Sequence, residues 1–151
     1  SNVDAPVLSG EIYVIFDDES YVGVYDIGGE DMGANVLGSL KSRLDGVDAG
    51  LYMAVNTLRP FTSDAIGIAQ MVHELQEAAR MKITGFINNT NLLEETTPEQ
   101  ILEGEEIILE ASKLTGIPLL ATTVMENVDI SSIDLKCKEI ITLKRTIEYN
   151  Y

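Results

Sequence analysis

Residues 82–91, KITGFINNTN, join an apolar strand, Ile83–Asn88, to a polar run of Asn88, Asn89, Thr90 and Asn91. Continuous apolarity, rather than alternation, is the mark of a strand covered on both faces. Three further segments carry the same pattern: Tyr21–Asp26 within YVGVYDIGG, Leu51–Asn56 and Pro118–Val124. They recur about every 30 residues, the length of a strand-helix-strand unit. This spacing predicts one α/β domain over residues 1–151, with a mainly parallel sheet and flanking helices.

The intervening segments are punctuated as helices. Thr97-Pro98-Glu99-Gln100 combines an N-cap, a proline at the first helical position, a first-turn acid and a capping-box glutamine. That helix should run to about Leu114, capped by Gly116 and stopped by Pro118. Thr62 or Ser63 caps a second helix to about Arg80, with an apolar stripe of Ile68, Val72, Leu75 and Ala79. A glycine-containing helix covers Asp31–Leu44, and a short one covers Ser9–Phe16. After Val124 the pattern weakens: Glu126–Asp134 reads as loop, and Lys138–Ile147 as an extra strand for which a sheet edge is one option. Parallel crossovers are right-handed, so strands progressing in one direction put their helices on one face. The opposite face would then be nearly bare.

Composition narrows the function classes. The net charge of −15 opposes phosphate backbones and anionic lipid, so neither nucleic acid nor a membrane surface is expected as a partner. Residues 1–40 hold no Lys or Arg, so this part brings no cation to a bound phosphate. No apolar run approaches the roughly 18 residues of a membrane helix, and the first residues do not resemble a signal peptide. The lone Cys137 cannot form an internal disulfide, so a reducing cytoplasm is expected.

Asp26 ends an apolar strand, where ligands bind in open α/β sheets, and a carboxylate there can hold magnesium through water. Gly28 and Gly29 would let the backbone approach a ligand closely; an ordinary strand-ending turn is the alternative. The Asn88–Asn91 run offers amides that carry both donor and acceptor, as reading a base edge requires; an Asn-rich turn is the alternative. Asn56, Arg59 and Ser63 follow the Leu51–Asn56 strand, and Arg59 suits an anion or a neighbouring acid. His73, without a second ligand at metal-binding spacing, reads as a packed or surface side chain. Cys137 has no evident base beside it, and Asp17-Asp18-Glu19 reads as a solvated turn. Neither G-x-S-x-G, H-E-x-x-H, C-x-x-C nor G-x-G-x-x-G occurs, so no catalytic residue is assigned.

Taken in order, YDIGGEDMGA, VNTLRPFTSDA, GFINNTNLLEETT and TGIPLLATTV resemble the later motifs of the MinD/ParA/CobQ-like P-loop ATPases, over about residues 3–125. The resemblance implies a doubly wound P-loop fold and dimerisation around ATP. It also implies that Asp26 ends the Walker B strand and serves the metal, that Gly28–Gly29 match the switch that senses the γ-phosphate, and that Asn89 matches the adenine-reading asparagine. The chain departs from the family at one decisive point: it contains no Gly-Lys pair, hence no G-x-x-x-x-G-K-[ST] loop. The expectation is therefore the C-terminal part of such an ATPase, a partial P-loop fold inactive alone, completed by a second copy or an N-terminal segment. ATP and magnesium belong to the intact family member, and neither is expected on this chain. A stand-alone, non-catalytic interaction module derived from the same fold is the alternative. In either case Asp26, Asn56 and Asn89 are expected together at the carboxyl ends of neighbouring strands.

Overall fold

The computed structural model describes residues 13–18, 20–28 and 31–145. Along the chain they form α1 (Val14–Asp17), α2 (Asp31–Leu44), β1 (Leu51–Val55), α3 (Ala65–Ala79), β2 (Ile83–Asn88), α4 (Pro98–Thr115), β3 (Leu119–Met125) and β4 (Ile140–Leu143). Two compact units result, Ser1–Gly50 with Glu74–Lys82, and Leu51–His73 with Ile83–Tyr151.

The second unit is an α/β layer built on a four-stranded sheet in the order β1-β2-β3-β4. Every neighbouring pair is parallel. Its core is made by Val55, Ile68, Phe86, Ile101, Ile108 and Ala111, all buried. Each large member of that set contributes about 1.5–3 kcal/mol of apolar burial. Opposite chemistry appears where Gly85 sits between Leu120 and Tyr52. A Cβ on Gly85 would stand 2.1 Å from Leu120 Cδ1 and 3.4 Å from Tyr52 Cδ1. Yet Tyr52 is 53% and Leu120 42% exposed, so beside Gly85 the sheet presents apolar side chains to solvent.

Helix α4 starts and stops as its sequence dictates. Thr97 Oγ1 accepts from Gln100 N at 3.3 Å while Thr97 N donates to Gln100 Oε1 at 3.0 Å, a complete capping box. Gly116 ends the helix at φ 76°, a left-handed conformation that favours glycine. For α3 the cap differs from expectation. Asp64 Oδ1 accepts from Gly67 N at 2.8 Å, so Asp64 is the cap. Thr62 and Ser63 are occupied elsewhere: their hydroxyls donate to Asn56 O at 2.7 Å and Pro60 O at 3.1 Å, within a 3-10 turn at Pro60–Thr62.

The fourth strand is not the expected one. Residues 21–28 lie in neither helix nor strand, and Val22 and Val24 are 94% and 93% exposed. Apolar, β-branched sequence favours a strand only where a neighbour completes the ladder and a layer covers the faces; among the described residues this segment has neither. Ile140–Leu143, the expected extra strand, is the fourth member instead and lies at the sheet edge, paired with β3 from Thr122↔Ile140 to Met125↔Leu143.

No helix carries the chain from β3 to β4. The connection is anchored by an acid in the apolar stripe of α4. Glu105, 1% exposed, accepts from Lys136 N at 2.7 Å and from Cys137 N at 2.9 Å. Around it Ile101, Val124 and Leu135 form a buried cluster, joined by Val128, Ile130, Ile133 and Ile140. The carboxylate thus satisfies backbone donors that a sheet or helix would otherwise satisfy.

In the first unit, α2 buries Ala34, Leu37 and Leu40. A Cβ on Gly38 would come within 2.5 Å of Ala78 O, so the glycine allows α2 to lie close against the end of α3. Arg43 stacks 4.6 Å from the Tyr13 ring centroid. The amino end of the expected Ser9–Phe16 helix, together with Gly29, lies outside the described residues.

Two variants test this account. Thr97→Ala removes the capping oxygen and should lower stability by about 0.5–2 kcal/mol in thermal melts. Glu105→Ala leaves two backbone donors without their acceptor. It should cost about 1–3 kcal/mol and speed hydrogen exchange at the amides of Lys136 and Cys137, with Thr97→Ala leaving those two amides protected.

Candidate functional site

At the carboxyl end of the sheet, β1 and β2 finish in side chains that bond each other. Asn89 N donates to Val55 O at 2.8 Å, extending the ladder one residue past β2. Asn56 Nδ2 donates to Asn91 O at 2.9 Å, while its Oδ1 turns back to accept Leu58 N at 3.0 Å. The hydroxyls of Thr57 and Thr90 lie 3.0 Å apart, and Thr57 N donates to Thr90 Oγ1 at 3.3 Å. Both threonines are buried.

Helix α4 closes on this pair through a residue without a side chain. A Cβ on Gly104 would lie 2.3 Å from Thr90 Oγ1, 2.8 Å from Thr90 Cβ and 3.1 Å from Thr57 Oγ1. Asn88 completes the attachment: its Nδ2 donates to Ile101 O at 3.1 Å and its Oδ1 accepts Thr90 N at 3.2 Å. Asn88 is fully buried, which makes it a structural residue.

Asn89 is different. It is partly exposed, and its Oδ1 accepts from Thr123 Oγ1 at 2.7 Å and from Asn91 Nδ2 at 3.4 Å. Both lone pairs of the oxygen are thereby engaged, which fixes the rotamer. Its Nδ2 has no hydrogen-bond partner among the described residues. Asn89 therefore presents two donor hydrogens and no acceptor.

The loop that follows is held in an uncommon shape. Leu93 has φ 56°, a region a bulky side chain seldom adopts. Side-chain bonds impose it: Leu93 N donates to Asn91 Oδ1 at 3.3 Å, and Thr96 Oγ1 links Leu92 N at 2.8 Å with Leu93 O at 2.7 Å. Arg59, two residues after Thr57, is exposed, and its guanidinium forms no ion pair among the described residues.

The residues expected to work together are only partly united. Asn56 and Asn89 do lie at the ends of adjacent strands, linked through Asn91. Asp26 does not end a strand; it is exposed in the irregular run 21–28 of the first unit. Gly28 lies beside the start of α2, where a Cβ on Gly33 would meet Gly28 O at 2.2 Å. His73 is exposed on α3. Among the described residues no group of three or more His, Cys, Asp or Glu is arranged to hold a metal ion. No helix among them is long and apolar enough to cross a membrane.

Chemically the cluster is amide and hydroxyl only. It contains no general acid, no general base and no activated nucleophile, so it can recognise a ligand by hydrogen bonds but cannot transfer a proton at neutral pH. Thr123 was hidden within the apolar fourth segment, and its single signal was a hydroxyl near the carboxyl end of a strand. Thr90 lies in the polar run that the sequence marks, whereas Thr57 carries no signal beyond its position after a strand.

Gly104→Ala should lower stability by about 1–3 kcal/mol through overpacking. Gly46→Ala, whose nearest contact would be 3.4 Å from Arg43 O, should be near neutral in the same melts. Set against protein-family models, curated proteins and solved structures, the chain has no match.

Proposed function

We propose that this chain is the base-recognising part of a MinD/ParA-like nucleotide-binding domain, in a partial doubly wound P-loop fold, and that it does not hydrolyse ATP by itself. The supporting observation is Asn89: a rotamer locked through its oxygen, with a free Nδ2 at the carboxyl end of a parallel sheet. Ligands of open α/β sheets bind at that end. A donor-only amide suits a ring nitrogen or carbonyl acceptor of a purine, although it lacks the acceptor that the amide run was expected to offer to an exocyclic amine.

The residues fit the two ends of ATP unequally. Base recognition fits the amide and hydroxyl cluster. Magnesium fits poorly, because among the described residues no group of three or more His, Cys, Asp or Glu that could hold a metal ion includes Asp26. Phosphate binding needs backbone N–H groups and a lysine of a kind that the motifs of this sequence do not supply. Those contacts, and assembly around nucleotide, are assigned to the intact domain. A non-catalytic interaction module is the second reading, favoured by Phe61 and Ile66, which are 80% and 75% exposed beyond β1.

Side-chain and backbone amide NMR during titration separates the two. Adenosine and ATP should both shift Asn89 and its neighbours at 88–91 and 122–125, with similar dissociation constants on the order of millimolar. Asn89→Ala should weaken adenosine by roughly two- to tenfold, the loss of one hydrogen bond. Absence of shifts at saturating adenosine, or ATP binding far more tightly than adenosine, would contradict base-led recognition.

A further inference from the structure

We infer that the Asn89 site takes a 6-oxopurine, the base class of hypoxanthine and guanine, in preference to adenine. The inference rests on the base-recognising reading above and departs from the adenine-reading role that the resemblance implies for Asn89. Four side-chain amides, those of Asn56, Asn88, Asn89 and Asn91, gather at the carboxyl ends of β1 and β2. Three of them are engaged within the fold. The oxygens of Asn56, Asn88 and Asn91 accept from Leu58 N, Thr90 N and Leu93 N, each two residues on. Their nitrogens donate to Asn91 O, Ile101 O and Asn89 O. Asn89 alone of the four has an amide nitrogen without a partner among the described residues.

The neighbours of Asn89 fix which way its amide points. Asn91 Oδ1 accepts from Leu93 N, so Asn91 Nδ2 faces Asn89, donating to its backbone O at 2.8 Å and to its Oδ1 at 3.4 Å. A reversed Asn89 amide would set nitrogen against nitrogen there, two donors without an acceptor. Thr123 Oγ1, 2.7 Å from Asn89 Oδ1 and 3.2 Å from Asn88 O, holds the oxygen from a second side. Asparagine reads adenine with both ends of its amide, donating to N7 and accepting from the exocyclic N6 amine. With the oxygen turned inward, that amine would meet a donor. A 6-oxopurine instead carries two acceptors, O6 and N7, on the same edge. An amide nitrogen seated between them meets an acceptor on either side.

Inosine and adenosine test this without phosphate, so the net charge of −15 does not enter the comparison. They share the ribose and N7 and differ at position six and in the proton on N1. Titrations of the 151-residue chain, followed by NMR at the Asn89 side-chain amide and the backbone amides of 88–91, should show inosine binding about three- to tenfold more tightly. Asn89→Ala should bring the two nucleosides level. Should that variant fail to fold, Thr123→Val removes the shorter bond to the Asn89 oxygen and should narrow the preference, with Thr123→Ser preserving it. Adenosine binding as tightly as inosine or more so, with shifts at these positions, would overturn the 6-oxopurine assignment and leave base recognition standing. An inosine preference undiminished in the folded variant would overturn it too, by placing the discrimination elsewhere. Shifts from neither nucleoside would overturn base recognition itself, and this inference with it.

Discussion

The contact on which the carboxyl end of the sheet depends is the 3.0 Å pair between the hydroxyls of Thr57 and Thr90 beneath Gly104. Two buried hydroxyls are costly unless they are hydrogen-bonded, and here one donates to the other while Thr90 Oγ1 also accepts from Thr57 N. Their pairing ties the end of β1 to the end of β2. The absence of a side chain at Gly104 lets α4 seat directly on them. Asn88 then reaches Ile101 O from below, so strand, loop and helix are fixed by one polar lattice. Apolar packing by Phe86, Ile101 and Ile108 supplies most of the burial, but it carries no directional information. The hydroxyl and amide bonds set the register of the ends.

From that lattice follows the exposed chemistry. Because Asn91 and Thr123 occupy the oxygen of Asn89, only its amide hydrogens remain. The same economy of partners shapes the loop beyond, where Asn91 and Thr96 hold Leu93 at positive φ and leave Leu92 and Leu93 exposed. Backbone strain of this kind costs on the order of 1–3 kcal/mol and persists only when neighbours over-determine it. Here they do, through three side-chain bonds to the loop backbone. The amide of Asn89 itself carries no charge, whereas the loop just beyond it ends in two exposed acids, Glu94 and Glu95.

How much of this the sequence disclosed depends on where the physics was local. The boundaries of α4 were legible in Thr97, Gln100 and Gly116, because capping is decided within one turn. Strands β1, β2 and β3 were legible because their apolar runs coincide with real ladders. The run Tyr21–Asp26 has the same composition and no ladder, since strand formation requires a partner that composition cannot supply. Four-residue β4 was half concealed by the lysines around it. Glu105 was the clearest missed signal: it lies four residues after Ile101 and three before Ile108, inside the stripe of α4, where an acid must find donors. The cap of α3 moved to Asp64 because Thr62 and Ser63 bond carbonyls of the preceding turn. In the amide run, the pattern marked the right loop and did not separate buried Asn88 from presented Asn89.

If the Thr57–Thr90 lattice is the fixed point of the second unit, its amides should be among the slowest to exchange. Native-state hydrogen exchange across a denaturant series measures this directly. The amides of Thr57, donating to Thr90, and of Asn89, donating to Val55, should open only with global unfolding, alongside that of Phe86 in the core. Exchange of Thr57 and Asn89 through a local opening, several kcal/mol below the global value for Phe86, would contradict the account.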